Sequence, residues 1–395
     1  MFNRRISFLL VLSFCFLLGI NANSSLLLPS NLLVAVGEDT LEAKAMEVVK
    51  EAEEIFKETE EGQVEERRSR ISQFTSKVTK TLSLPFTKTL TKVTLIQMEL
   101  VCSAMPDLES AGFGTFPQSF ILLEVLGENV DPVLMSKAIA NKRNDWKFRW
   151  LIAETIGDLQ LDEATDAMME VILDKNDDRR VRHRCILEVP ATGDIYKGEP
   201  IGEYILKIFK EEEGLRPNAA RSLGYLKYRS AVEVLIEYIE RDTSKISRKA
   251  MLNALGDIGD KESLPLLYSL LRKGEFKGSV LTQLGKIGGE ETVDTLMNIV
   301  EKNGDSFVRY CALNGLALSG NDKAYDFLIK RKEINALGNA AVQGNQTKAL
   351  EALKEIKTPE AIAKLRWLSG KGTSTSEKVK TKAKVLLKEL GYEER

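Results

Sequence analysis

Residues 250–271 read AMLNALGDIGDKESLPLLYSLL. Ala250, Leu252 and Leu255 fall at helical spacing, and so do Leu264, Leu267 and Leu271. Between them lies a short polar turn with two glycines, and Pro265 stands near the start of the second stretch, where a helix tolerates proline. The stretch predicts two short amphipathic helices joined as a hairpin. The glycine after Leu255 is expected to end the first helix, because a left-handed backbone costs glycine little.

The unit recurs. RWLIAETIGDL (149–159), HRCILEVPATG (183–193), PNAARSLGYLK (217–227), RKAMLNALGDI (248–258), KGSVLTQLGKI (277–287) and RYCALNGLALS (309–319) each occupy the end of a first helix. The anchor is Ile156-Gly157, Leu223-Gly224, Leu255-Gly256 or Leu284-Gly285. Val189-Pro190 and Leu316-Ala317 stand in its place in two copies, and Leu126-Gly127 lies about one period upstream. The spacing is 29 to 34 residues, the length of one helical hairpin. Second helices show the same regularity, as in Ala167, Met168, Val171 and Ile172, or Val293, Leu296 and Val300. A single hairpin cannot bury both of its apolar faces, so successive hairpins must stack.

This pattern resembles the HEAT-repeat family, and especially its short subgroup named after phycobilisome lyases, to whose typical unit residues 250–271 are similar. The resemblance covers residues 117–335 well and 345–390 loosely. It implies an all-α fold, an α-solenoid of stacked helical hairpins, with an N-terminal helical cap region. Such repeats serve many roles, so the fold alone names no activity. Deoxyhypusine hydroxylase, an enzyme family on the same repeat, holds iron through His-Glu pairs; this chain contains none.

Two charge patterns follow the repeat. Seven residues before each anchor stands a basic residue: Arg149, Arg182, Arg216, Arg248, Lys277 and Arg309. Four residues earlier there is often an acid, Asp145, Asp178, Glu212 or Asp305, placed to cap the helix. The bases are expected to form a structural ion ladder, pairing with that acid or with one from the adjacent repeat; an anion-binding stripe is the functional alternative. On the second helices, Asp166, Glu203, Glu233, Asp294 and Asp326 share one register position in the first turn, with Pro265 in the remaining repeat. Complementing the helix dipole explains them without function. As a row on the inner face of a solenoid, they would suit a basic partner.

The flanks differ. Arg4 and Arg5 followed by the apolar run from Ile6 to Ile20 read as a secretory signal, with an uncleaved anchor as the alternative. The expected organisation is a signal peptide over 1–22, a helical region over 23–116 and a repeat solenoid over 117–390 ending in a capping helix. Residues 38–66 are acidic, whereas 67–98 carry seven basic residues and no acid, which suits a locally paired hairpin. In the last helix, Val379, Ala383, Leu386 and Leu390 define an apolar face, Lys378, Lys380, Lys382, Lys384 and Lys388 around it are expected to form a solvated face, and Ser374 and Glu377 stand at capping-box spacing.

Chemistry-bearing patterns are scarce. His183 is the one histidine, and there is no CxxC pair, phosphate loop or GxSxG. Cys102, Cys185 and Cys311 are too few and too dispersed for a disulfide framework, and the last two fall at small core positions. A net charge of −2 gives no global signal for nucleic acid or membrane. The expectation is therefore an exported, non-enzymatic scaffold that binds another protein through its concave face. It has no catalytic, cofactor or metal residues, no nucleic-acid partner and no stable membrane insertion after cleavage. A bilin-lyase-type accessory protein and a structural envelope-surface protein are the alternatives.

Overall fold

The computed structural model describes residues 130–343, 346–370 and 376–392, together with Thr91, Thr94 and Leu95. The expected signal peptide, Cys102, the Leu126-Gly127 copy and nearly all of the N-terminal helical region lie outside the described residues. Among the described residues the architecture is helical, apart from two strands of two residues each, Ile195–Tyr196 and Glu199–Pro200. They form two compact units divided between Tyr196 and Lys197.

In the first unit, α1 (Pro132–Ala140) precedes the hairpin of α2 (Trp146–Leu159) and α3 (Thr165–Leu173), and α4 (Arg179–Glu188) follows. First helix packs on first helix, α2 against α4, and second on second, α1 against α3. Phe148, Leu151, Ile152 and Ile156 of α2 and Met168 and Ile172 of α3 are fully enclosed.

The second unit opens with α5 (Ile201–Glu211). Hairpins follow: α6 (Arg216–Tyr225) with α7 (Val232–Arg241), α8 (Lys245–Ile258) with α9 (Leu264–Lys273), and α10 (Lys277–Ile287) with α11 (Glu290–Lys302). Next come α12 (Ser306–Leu318) with α13 (Asp322–Arg331), α14 (Ile334–Gln343) with α15 (Gln346–Ile356), and α16 (Pro359–Ser369) with α17 (Glu377–Glu389). The first helices pack in sequence from α6 to α16. One apolar cluster runs from Leu281 through Leu337, Leu353 and Leu365 to Leu387, so the loosely matching C-terminal stretch completes the same stack.

The anchor glycines do a different job from the one expected. Gly157, Gly224, Gly256 and Gly285 lie inside their helices, and the left-handed residues come later, at Gln160, Lys227, Gly259 and Gly288. What glycine supplies is close approach. A Cβ on Gly224 would stand 2.8 Å from the Ala254 Cα of the next first helix, and one on Gly285 only 2.1 Å from the Gly315 carbonyl oxygen. Gly315 is equally crowded, 2.5 Å from the Leu281 carbonyl oxygen, so α10 and α12 meet backbone to backbone.

Caps fix where the helices begin. Asp145, Asp178 and Asp305 each accept a backbone N–H from the first turn of the helix that follows. Glu212 does not, because a 3-10 turn, Glu213–Leu215, separates it from α6. Ser374 lies outside the described residues; Ser376 is the cap of α17, accepting from the Val379 N–H. Lys380, expected on the solvated lysine face of that helix, is instead buried.

The arginines knit neighbouring hairpins. Arg149, which is 2% exposed, donates Nε to the Ile139 carbonyl of α1 at 2.7 Å. Its two terminal nitrogens grip Asp177 at 2.6 and 2.7 Å, beyond α3. Arg216 repeats this with the Phe209 carbonyl (3.2 Å) and Asp242 (3.4 Å), and Arg248 with the Ile239 carbonyl (2.9 Å) and Glu275 (2.7 Å). Arg182 donates Nε to the Ile172 carbonyl at 3.0 Å. The accepting carbonyls sit in last helical turns, which lack intrahelical donors and form the negative end of the dipole. Against its own burial, hydrogen bonds from Ser244, Ser247 and Arg216 hold the Asp242 carboxyl below the usual range. Lys277 and Arg309, the other two expected rungs, are exposed and pair with no acid among the described residues. An ammonium also lacks the planar fork that grips a carbonyl and a carboxylate at once.

Removing Asp177 leaves the Arg149 guanidinium buried without its counter-charge. Asp177→Ala is expected to cost about 3–5 kcal/mol in urea unfolding, and the double change Arg149→Met with Asp177→Leu much less. Gly285→Ala should cost about 1–3 kcal/mol by the same measurement, because both colliding atoms belong to backbone.

Candidate functional site

The five second-helix acids are all exposed. Asp166 lies in the first turn of α3, Glu203 in that of α5 and Glu233 in that of α7. Asp294 and Asp326 lie deeper, at the fifth residue of α11 and α13; the first-turn acids there are Glu290, Glu291 and Asp322. Dipole complementarity therefore does not account for Asp294 and Asp326, since it fades beyond the first turn. Two members are tied to the next hairpin. Tyr228 donates its hydroxyl to Glu203, its ring packed over Gly202, and Lys323 of α13 pairs with Asp294. Asp166, Glu233 and Asp326 have no such partner among the described residues.

A second constellation, which the sequence reading missed, joins α2 to α4 in the first unit. Trp146, Trp150 and Glu154 form one stripe at four-residue spacing, and Arg180, Arg184 and Glu188 form another. The Arg180 guanidinium lies 3.6 Å from the Trp146 ring centre, and that of Arg184 4.4 Å from Trp150. Arg184 also reaches Glu154 at 2.5 Å and Glu188 at 3.0 Å. The Glu188 carboxylate occupies the space a side chain on Gly157 would need. One cation thus serves two partly buried carboxylates. Burial raises the Glu154 pKa, against the pull of Arg184. Glu188 is pushed up to about 7, chiefly by burial, with Arg184 opposing and Asp158 and Glu154 adding repulsion. The spacing of both stripes was visible in the sequence, but not that they face each other.

Cys185 and Cys311 are free and buried, and burial pushes both thiols up, away from the reactive thiolate. Among the described residues no group of three His, Cys, Asp or Glu side chains is placed to hold a metal ion. None of the described helices is long and apolar enough to cross a membrane. A further feature is an open cleft of about 520 Å³ between the α13–α14 turn and α16, lined by both charges and by Trp367.

These observations define a tandem helical-hairpin repeat protein. Residues 203–278, from α5 to α10, match the family model for HEAT repeats. Among solved structures, the chain is similar to the complex of CpcE and CpcF of phycocyanin lyase from Nostoc sp. PCC7120, at 19% identity. That alignment covers 66% of this chain and 95% of the other, with a TM-score of 0.41. Human deoxyhypusine hydroxylase in complex with glycerol aligns at 17% identity over 67% of this chain and 98% of the other, with a TM-score of 0.26. No curated protein matches the chain.

The raised Glu188 pKa sets a direction for stability. Folded, this carboxyl keeps its proton up to about pH 7, whereas the unfolded chain releases it near 4.5. The folded state therefore binds more protons in that window, and this contribution to stability falls as pH rises through it. Asp178, held low by Arg180, acts oppositely and only below its ordinary value of 3.8. Thermal unfolding followed by circular dichroism from pH 4.5 to 7.5 should show a shallower loss of stability with rising pH in Glu188→Gln than in the wild type, with the variant more stable at the upper end.

Proposed function

We propose that this protein is an exported, non-enzymatic scaffold that binds a basic segment of another protein along its exposed second helices. The observation carrying the reading is the register of Glu203, Glu233, Asp294 and Asp326 in the second unit. They recur on α5, α7, α11 and α13 and are exposed on each. Repetition supplies area, and charge matching supplies on-rate and specificity. The Arg4-Arg5 and apolar N-terminal sequence supports export. Asp166 holds the corresponding sequence position on α3 of the first unit.

The reading is tested by cross-linking in intact cells followed by mass spectrometry. Links from the second helices to one recurrent exported protein support it; links confined to other copies of the chain argue against it. With that partner in hand, Glu233→Gln, Asp294→Asn and Asp326→Asn together are expected to weaken binding about tenfold, each exposed charge contributing about 0.2–1 kcal/mol. The loss should shrink at high salt. Unchanged affinity in surface plasmon resonance removes the acidic row from the site.

A further inference from the structure

We infer that the cleft between the α13–α14 turn and α16 is a binding site for a neutral saccharide. Its two walls are built differently. On α16, Glu360, Lys364 and Trp367 stand at spacings of four and three residues, so that they share one helix face. Opposite, Lys332, Glu333 and Asn335 come from the turn, where Lys332 adopts a left-handed backbone (φ 56°), and from the first turn of α14.

The lining points to a ligand class by elimination. Each wall carries one lysine and one glutamate, so the cleft lining has no net formal charge with which to select a phosphate, a carboxylate or a metal cation. A lipid tail would need apolar walls, and the lining offers little beyond Ile334 and the Trp367 ring. At about 520 Å³ the cleft suits one or two small rings rather than a helix. What remains is a dense set of donors and acceptors around one aromatic platform. A pyranose presents that chemistry, with hydroxyls around its edge and C–H groups on its face.

Lys364 is packed beside the Trp367 ring. Gly338 leaves room for the Lys364 stem, since a Cβ there would stand 2.5 Å from Lys364 Cε. Lys364 then places its ammonium 4.8 Å from the Trp367 ring centre while 52% of Trp367 remains exposed. Hydrogen bonds from its own backbone N–H and from Thr358, with Lys332 nearby, hold the exposed Glu360 carboxyl below its ordinary range. None of the five second-helix acids lines the cleft.

The test is isothermal titration of the full chain with cellotriose, chitotriose and maltotriose, each to about 10 mM, a range that detects millimolar dissociation constants. Saturable binding of at least one is expected. It should weaken at least about tenfold in Trp367→Ala, as for an aromatic contact at the centre of a site, and measurably in Glu360→Gln, with unchanged circular dichroism. If Trp367→Ala does not fold, Glu360→Gln and Lys364→Met decide. Absence of saturable heat with all three sugars, or affinity unchanged in every folded variant, overturns the assignment.

Discussion

Backbone contact between consecutive first helices is the constraint on which the rest of the second unit depends. Where α10 meets α12, Gly285 and Gly315 bring carbonyl oxygens to within 2.1 and 2.5 Å of where a Cβ would stand. That proximity fixes the spacing of the hairpins. It lets second helices such as α11, α13, α15 and α17 close over one continuous apolar cluster. Side chains of ordinary size then fill the layer between, as with Leu281, Leu296, Leu316 and Leu328, all fully buried. Interiors packed to this density do not absorb an extra methyl without displacement.

The arginines add direction to this spacing. A guanidinium bonded backward to the last turn of one helix and forward to the loop after the next cannot be satisfied by a hairpin on its own. Arg149, Arg216 and Arg248 each join elements on both sides of their own helix. Replacing such a group by lysine keeps the charge and loses the fork.

Much of the fold was legible because the repeat writes the same instructions several times. The anchors located every first helix from α2 to α12, and the periodic apolar residues located their partners. The glycines were misread because sequence shows only that glycine is required, not whether the need is a positive φ or a missing Cβ; here the missing Cβ decides at Gly224 and Gly285. Lys380 was misplaced because counting lysines around a helix ignores which side the neighbouring hairpin covers. The Arg184 cluster and the Trp367 cleft escaped for a common reason. Each brings together stretches about thirty residues apart, and neither stretch is distinctive until its facing partner is known.

Neither Lys277 nor Arg309 repeats the bridge made by Arg216 and Arg248, so the later hairpins are joined by other means. The joints around α6 and α8 are bolted by shielded guanidinium bonds to backbone carbonyls. From α10 onward the links between hairpins include Lys323 with Asp294, Lys348 with Asp322 and Lys354 with Glu389, largely solvent-facing ammonium pairs that exchange freely with water. From α10 onward the hairpins are therefore joined by close packing, through the Gly285–Gly315 approach and the apolar cluster that runs on to Leu387, and not by buried guanidinium bonds.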